Sequence, residues 1–411
     1  MAKNKSGFLY LGVTFFVLLI LYSQSLIPLW KGHLEIDIWD FYETTNVYLS
    51  NGSFKTLKGN EIMPGGLLFF FLPLIFSSSI NNYHTYLGSF ILVNLFILAL
   101  LFLLYKRFGN VFACPIMALI LLGLGPILLF RFDLIVCLLV ILSIISFKKG
   151  QYFLSTLFLG LATGTKLYPI IFLPYYLLVI FLPKYDFKKA FFALTAFLLG
   201  FSLPILGFVL LGGSLQKFIY SLTFHSRKPM SVESLWGTIY TGLNLLLFKK
   251  PPALFGEYGL WALKPKIFNQ STNFLNWLSL LPVIVLYIYL LLKRQKLKKF
   301  RVSTLFLLTL SSLTMAKNLH PQYLIWPLSL FPFLHFKPRN QTSYLMLAAV
   351  IFIITLLTQY IYPLSYTSFI QTFYGRGLEK EIFYLLVIRN ILLVLLLYKS
   401  IYYIIVKKTL S

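Results

Sequence analysis

The chain has 411 residues, of which 59% are hydrophobic and only 11% are charged. About a quarter of the residues in a soluble domain are charged, so this composition excludes a water-soluble globular protein. In a membrane protein, a net charge of +25 is explained first by the orientation of the chain in the membrane, so we predict no nucleic-acid partner. Cys114 and Cys137 lie in apolar runs, which excludes a disulfide framework or a thiolate metal site.

The hydrophobic runs predict an all-α, polytopic membrane protein in which residues 1–411 form a single transmembrane domain. A spanning helix needs about 20 mostly apolar residues, and we expect about 12 spans, with 11 or 13 as alternatives. The runs are 8–30, 84–104, 111–130, 133–147, 152–165, 168–183, 190–212, 274–293, 302–316, 322–336, 342–361 and 382–405.

One further apolar run, residues 63–80, does not fit this count, because a crossing there would invert the orientation of everything downstream. It contains the helix breakers Pro64, Gly65, Gly66 and Pro73. We therefore interpret it as a re-entrant or interfacial segment.

The short connections between the runs give the orientation. Alternate connections hold 20 of the 36 basic residues but only one acid, Asp186, and the other ten acids fall on the opposite side. Basic residues concentrate on the cytoplasmic side, so we predict a multi-pass membrane protein with both termini in the cytoplasm. The long connections 31–83 and 213–273 become the first and fourth extracytoplasmic loops, where function is expected.

The first of these loops contains Glu35, Asp37, Asp40 and Glu43. On a helix Asp37 and Asp40 share a face, and crowded carboxylates raise the pKa of at least one of them, as a general base requires. One alternative is a solvated acidic loop that caps a helix starting after residue 40, with Asp40 or Thr44 as the N-cap. Another is a divalent-cation site at Asp37 and Asp40.

Polar groups also occur at the outer ends of later helices. Lys317, His320, Gln322 and Tyr323 form a group that suits an anion, although an ordinary interfacial aromatic belt is the alternative.

Charges also stand at two earlier helix ends. Arg131 and Asp133 face a cavity or pair with each other, and Lys166, with no acid nearby in sequence, is the better phosphate ligand.

The second long loop contains His225, Arg227 and Glu233, which form either part of the site or a mixed-charge surface.

The order of these polar groups along the chain resembles that in the GT-C glycosyltransferases. The resemblance rests on the acidic first loop and on four stretches, which read RFD from Arg131, GLATGTKLYPIIFLP from Gly160, HSRKPMSVESLWG from His225 and HPQYLIWPLSL from His320. It is strongest toward the bacterial polyprenyl-phosphate-mannose-dependent mannosyltransferases and more distant toward the first mannosyltransferase of the GPI-anchor pathway. Its most specific parts are Lys-Leu-Tyr-Pro, which includes Tyr168, and Pro-Gln-Tyr-x-x-Trp.

The resemblance implies a GT-C fold and an inverting transfer of a sugar, mannose by default. The donor would be a polyprenyl-phosphate sugar, the acceptor a lipid-linked molecule or a glycan, and no cofactor is implied. The family's catalytic carboxylate corresponds best to Asp40, followed by Phe41 and Gly52, with Asp37 as the second candidate. The chain departs from its relatives in having Asp-x-x-Asp in place of Asp-x-Asp, and His320 in place of a small residue.

The resemblance also implies that phosphate and sugar are bound by residues at the outer helix ends. The implied substrate-binding residues are Arg131, Asp133, Lys166, Tyr168, His225, Arg227, Glu233, Lys317, His320, Gln322 and Tyr323. The cations among them would neutralise the leaving phosphate.

A secondary transporter is the main alternative from another class. Transporters place ionisable groups near the bilayer midplane, whereas the ionisable residues here concentrate at helix ends, apart from Arg389 in the last run. A non-catalytic membrane scaffold is a third alternative, which the ordered polar groups disfavour.

Overall fold

The computed structural model describes residues 2–54, 62–76, 82–257, 260–263, 272–293, 297, 299–336, 338–373 and 380–407. These residues form an α-helical protein, as the sequence predicts. The helices are α1 Ala2–Ser25, α2 Pro28–Asn51, α3 Pro64–Phe69, α4 Tyr83–Phe108, α5 Ala113–Leu124, α6 Asp133–Lys148, α7 Tyr152–Thr165, α8 Leu173–Phe181, α9 Phe187–Leu210, α10 Leu215–Arg227, α11 Leu235–Phe248, α12 Thr272–Leu292, α13 Val302–Thr314, α14 Ile325–Leu328, α15 Gln341–Gln359, α16 Tyr366–Thr372 and α17 Lys380–Ile401.

Short 3₁₀ and π segments continue or connect several of these helices. They are Leu72–Ile75, Gly125–Phe130, Tyr168–Phe172, Pro321–Leu324, Phe331–Phe333, Pro338–Asn340, Tyr360–Leu364 and Tyr402–Val406.

Within the described residues, six helical segments are long and apolar enough to cross a membrane. They are Tyr83–Phe108, Ala113–Phe130, Phe187–Leu210, Phe274–Leu292, Gln341–Leu364 and Glu381–Val406. The outward sides of α9 and α12 expose large apolar residues, among them Phe192, Leu206, Trp277 and Leu292. Apolar surfaces of this size would promote aggregation in water, so these two helices are suited to face lipid.

Most of the predicted runs coincide with helices, and 152–165 has the same bounds as α7. The run 322–336 requires a correction, because it is no regular spanning helix. It consists of Pro321–Leu324, α14 and Phe331–Phe333, all buried in the bundle interior. Pro321, Pro327 and Pro332 explain the interruptions, since proline removes a backbone donor and clashes with the preceding turn.

The first long loop also differs from the expected loop, because residues 28–51 form α2. Proline occupies the first turn at Pro28, and the helix ends at Gly52, whose φ of +63° gives the left-handed conformation that glycine favours. The alternative of a helix capped by Asp40 or Thr44 is therefore wrong, since both residues lie within α2.

The described part of the 63–80 segment, residues 63–76, is broken as its prolines and glycines predict. It forms α3 and the turn Leu72–Ile75, packed mainly against α9, α7 and α4. Gly65 permits this packing, because a Cβ there would lie 2.8 Å from the Cα of Thr165. Residues 77–80 lie outside the described residues.

Helices α7 and α9 form the most extensive helix–helix interface, and glycines allow it. A Cβ on Gly160 would lie 2.7 Å from the backbone N of Phe201 and closer still to the carbonyl O of Phe197. A Cβ on Gly200 would similarly meet the backbone of Leu157. Small residues let membrane helices approach closely, and here the contact fixes the end of α7 that precedes Lys166.

We expect Gly160→Ala to lower the free energy of unfolding by about 1–3 kcal/mol, the usual cost of overpacking a tight contact. The control is Gly88→Ala on α4, where a Cβ would meet nothing within 4 Å. Replacing glycine by alanine in an open helix position stabilises by roughly 0.5–1 kcal/mol. Thermal unfolding in detergent measures both, and equal melting temperatures for the two variants would contradict the close contact.

A small antiparallel sheet stands in the second long loop, an element that the sequence did not predict. Its strands are β1 Met230–Ser231, β2 Leu254–Glu257 and β3 Leu260–Leu263, in the order β1-β3-β2. Met230 pairs with Leu263, and Leu254 pairs with the same residue from the other side. The sheet covers a second apolar cluster that includes Phe369 and Leu386.

Residues expected on the same side of the membrane lie together. At the end predicted to be cytoplasmic, Lys148 Nζ lies 3.4 Å from His335 Nε2, and the Tyr10 hydroxyl donates to the Val111 carbonyl at 3.4 Å. The first residue of α6, Asp133, lies at the opposite end. The bundle thus has one end with mostly lysine and arginine and another end with mixed charges.

Candidate functional site

The mixed-charge end is built around an ion pair between α2 and the α5–α6 connection. Apolar residues Leu34, Ile38 and Phe41 bury one face of α2. Asp37 lies beside that face, and its Oδ2 is 2.6 Å from Nη2 of Arg131. The Arg131 side chain is 7% exposed and that of Asp37 is 42% exposed. The aspartate is therefore the solvent-accessible member of the pair.

Arg131 is held by further hydrogen bonds. Its Nη1 donates to the carbonyl of Phe130 at 3.0 Å, and its Nη2 donates to the hydroxyl of Tyr362 at 3.3 Å. That hydroxyl donates in turn to the main-chain carbonyl of His33 at 3.3 Å. A guanidinium with several acceptors has one preferred orientation, so Arg131 presents a fixed charge to Asp37.

A second ion pair lies beneath the first. Lys166 Nζ is 2.7 Å from Oδ1 of Asp133, whose side chain is only 1% exposed. Trp326 Nε1 donates to the same oxygen at 2.6 Å. The alternative in which Arg131 and Asp133 pair with each other is therefore wrong, since each takes a different partner. Lys166 has an acid in space although it has none nearby in sequence.

Aromatic rings surround Lys166. Its ammonium lies 4.7 Å from the ring centroid of Tyr323, 5.0 Å from that of Trp326 and 4.9 Å from that of Phe132. Trp326 stacks between Tyr168 and Tyr323, with centroids 4.1 and 4.2 Å apart. Cation–π contacts and the Asp133 carboxylate together stabilise this largely buried positive charge.

The segment around Lys317 joins this group to the second long loop. Ser231 N donates to the Lys317 carbonyl at 3.0 Å, Leu319 N donates to Ser231 Oγ at 3.2 Å, and Trp236 Nε1 donates to the Met315 carbonyl at 2.9 Å. Lys317 is buried, and burial lowers the pKa of its ammonium to about 8.

Other residues of the same predicted group lie nearby. The imidazole of His320 contacts the edge of Tyr323, with ring centroids 5.0 Å apart. Gln322 is buried in the turn Pro321–Leu324. These two residues therefore flank the aromatic stack around Lys166.

Glu233 lies in the protein interior next to Arg389 of α17. Burial raises the pKa of the Glu233 carboxyl to about 7, against the opposing effects of Arg389 and a hydrogen bond from the Tyr366 hydroxyl. Arg389 also bonds the Glu233 carbonyl and the side chain of Asn390. The one charge inside a predicted span thus has protein partners.

Three further residues were predicted at the site. Asp40 is exposed on α2. Arg227 is exposed at the end of α10, and its guanidinium lies 5.6 Å from the ring centroid of Tyr220. The side chain of His225 lies outside the described residues.

Sequence reasoning missed Trp326, Tyr362 and Tyr366 as individual contributors. Trp326 belongs to a motif already quoted, and its position three residues after Tyr323 could have placed both rings on one face. Tyr362 and Tyr366 lie at the end of an apolar helix, where tyrosine is common. Only the fold distinguishes them from an interfacial belt.

Across the described ranges, no group of three or more His, Cys, Asp or Glu side chains is arranged to hold a metal ion. Asp37, one of the two acids considered for a cation site, is bonded to the Arg131 guanidinium.

A bundle of apolar helices carries a charged, aromatic-lined cluster at one end. This is the arrangement expected of the membrane-embedded glycosyltransferases that the sequence resembles. The family model for glycosyltransferase family 87 matches residues 64–316, which is more than half of the chain. The protein therefore belongs to glycosyltransferase family 87.

The matched region contains Arg131, Asp133, Lys166 and Glu233, whereas α2 and the residues after 316 lie outside it. The match establishes sugar transfer and gives no support to a secondary transporter. No curated protein matches the sequence.

Proposed function

We propose that this glycosyltransferase moves a sugar, mannose by the sequence resemblance, from a polyprenyl-phosphate donor to a glycolipid or glycan acceptor. The observation that carries the proposal is the partly exposed Asp37 carboxylate beside the Arg131 guanidinium, next to the buried Lys166–Asp133 pair. A base and cations for a phosphate thus occur together at one end of an apolar bundle.

The donor phosphate needs positive charge, because negative charge grows on the leaving group in the transition state. Arg131 and Lys166 are each opposed by one carboxylate, so these four groups together carry no net charge. Lys317 adds a cation from the adjacent segment. Phosphate binding is therefore expected to depend on Lys317 for net charge and on Arg131 and Lys166 for orientation.

Asp37 is the base in this proposal, although the sequence resemblance favours Asp40. Asp37 forms an ion pair with Arg131, which lies near the Lys166–Asp133 pair, and the exposed Asp40 is the second candidate one turn further along α2. The acceptor oxygen attacks the anomeric carbon, its proton passes to the Asp37 carboxylate, and the bond from that carbon to the phosphate oxygen breaks. The polyprenyl phosphate leaves with the electron pair, and one displacement inverts the configuration.

The donor's isoprenoid chain suits the membrane part of the protein. The lipid-facing sides of α9 and α12 are apolar, so the chain can remain among apolar groups while the sugar phosphate lies at the helix ends. The basic residues at the opposite end of the bundle favour a cytoplasmic location for that end and for both termini. The site would then face outward.

Purified protein incubated with a panel of polyprenyl-phosphate sugars and membrane lipids tests the proposal. The expected result is a product whose mass equals that of the acceptor plus one hexosyl residue, that is one hexose less one water, with release of polyprenyl phosphate. Transfer from nucleotide sugars alone, with no use of any polyprenyl-phosphate sugar, would refute the proposed donor class.

Donor binding should weaken above pH 8. Lys317 is protonated below its lowered pKa of about 8 and loses its charge above it. The donor KM is therefore expected to rise as the pH passes through 8, because the phosphate loses one cation. Lys317→Arg keeps the charge, since arginine stays protonated, and its donor KM should stay flat over the same interval. An equal rise in both proteins would contradict this role of Lys317.

A further inference from the structure

Glu233 is a buried acid that the proposed reaction does not use. Its main-chain carbonyl accepts hydrogen bonds from the Arg389 guanidinium and from Asn390 Nδ2, the latter at 3.2 Å. Asn390 Nδ2 also donates to Thr238 Oγ1 at 2.6 Å. The start of α11 and the residues before it are thereby fixed to α17, which fixes the backbone of Glu233.

The side chain of Glu233 points toward the proposed active site through two tyrosines. The Tyr366 hydroxyl interacts with the Glu233 carboxylate. The Tyr366 ring packs edge-on against Tyr362, with centroids 4.8 Å apart, and against His33, with centroids 5.8 Å apart. The Tyr362 hydroxyl bonds the Arg131 guanidinium. A continuous series of contacts therefore leads from α17 to Arg131.

The contact between Tyr362 and Arg131 is the one through which a displacement would affect Asp37. Nη2 of Arg131 lies 2.6 Å from Asp37 and 3.3 Å from the Tyr362 hydroxyl, so one nitrogen serves both partners. A displacement of the Tyr362 ring would move or rotate the guanidinium that orients Asp37. The geometry of the base, rather than the net charge of the site, would change.

We propose that Glu233 is a positioning residue that, through Tyr366 and Tyr362, holds Arg131 in the orientation that aligns Asp37. It does not contact the substrate. This inference rests on the proposed function only in taking Asp37 as the base, and it predicts a loss of turnover without a loss of donor binding.

Tyr366→Phe is the decisive variant, because it removes one hydroxyl and keeps the ring. We expect kcat to fall by up to about 10²-fold, since small misplacements of catalytic groups cost that much, with the donor KM unchanged. The matched control is Tyr344→Phe, which removes a buried hydroxyl bonded to Asn110 Nδ2 at 2.6 Å near the other end of the bundle. That variant should retain wild-type kcat and KM.

Variants of Glu233 test the role of its carboxyl oxygen. Glu233→Gln removes the charge that faces Arg389, so it should lower stability, but it keeps an oxygen that accepts from Tyr366 and should retain nearly wild-type kcat. Glu233→Ala should lower kcat as much as Tyr366→Phe does. If the Glu233→Ala variant fails to fold, the measurement on Tyr366→Phe still tests the inference.

A wild-type kcat in Tyr366→Phe would overturn the inference, and so would a rise in donor KM with kcat unchanged, which indicates substrate contact. Failure of the proposed function looks different, because the wild type would then not use any polyprenyl-phosphate sugar. The same ratios of kcat could then be measured with whichever sugar donor the wild type does use.

Discussion

Asp37→Asn is expected to reduce sugar transfer by about 10²–10⁴-fold, the usual cost of removing a positioned general base. The amide has nearly the same shape but cannot accept the acceptor's proton. Donor binding should not weaken, because loss of the carboxylate frees positive charge on Arg131 for the phosphate. Steady-state rates at saturating donor, together with the donor KM, measure both effects.

Asp40→Asn is the control variant for Asp37→Asn. The two aspartates are three residues apart on α2, but only Asp37 is bonded to Arg131. We expect Asp40→Asn to lower the transfer rate by less than about 10-fold, which is well below the usual effect of removing a general base. The reverse pattern, with Asp40→Asn inactive and Asp37→Asn active, would show that the sequence resemblance identified the base correctly.

Asp133→Leu should produce the largest loss of stability of any single substitution in the site. It leaves the Lys166 ammonium largely buried without its carboxylate and removes the acceptor of the Trp326 indole. Removing one partner of a buried ion pair costs about 3–5 kcal/mol of unfolding free energy. Thermal unfolding in detergent, followed by tryptophan fluorescence, measures this change.

The double variant Asp133→Leu with Lys166→Met separates stability from function. Replacing a buried ion pair by apolar groups of similar volume is often neutral or stabilising, so most of the lost stability should return. Transfer activity should not return, since Lys166 is proposed to bind the donor phosphate. A double variant that is both stable and active would remove Lys166 from the mechanism.

Much of the fold could be predicted because the membrane imposes simple rules on sequence. A hydrocarbon environment forces backbone groups to bond within a helix, so apolar runs such as 152–165 mark helices with almost the correct bounds. The break at 322–336 and the helix over 28–51 were harder to foresee. Proline at 321, 327 and 332 interrupts an apolar run, whereas α2 is too polar to be recognised by hydrophobicity.

The candidate site was predicted in its members but not in its pairings. Arg131 and Asp133 are close in sequence and therefore seemed partners, yet Arg131 lies in the connection before α6 and pairs with Asp37, whereas Asp133 begins α6 and pairs with Lys166. Pairing in space depends on how α2, α6 and α7 pack, and packing involves contacts far apart in the chain. The contact between Glu233 and Arg389 could not be predicted either, because the two residues are far apart in the sequence.

The sequence by itself determined that this is a helical membrane protein with a basic end and a mixed-charge end. Both conclusions follow from composition, because the transfer cost of a side chain depends on its chemistry and not on its neighbours. The tertiary structure decided which charges neutralise each other, and it pairs Asp37 with Arg131 and Lys166 with Asp133. Electrostatic attraction falls with distance, so these pairs depend on how α2 packs against the bundle.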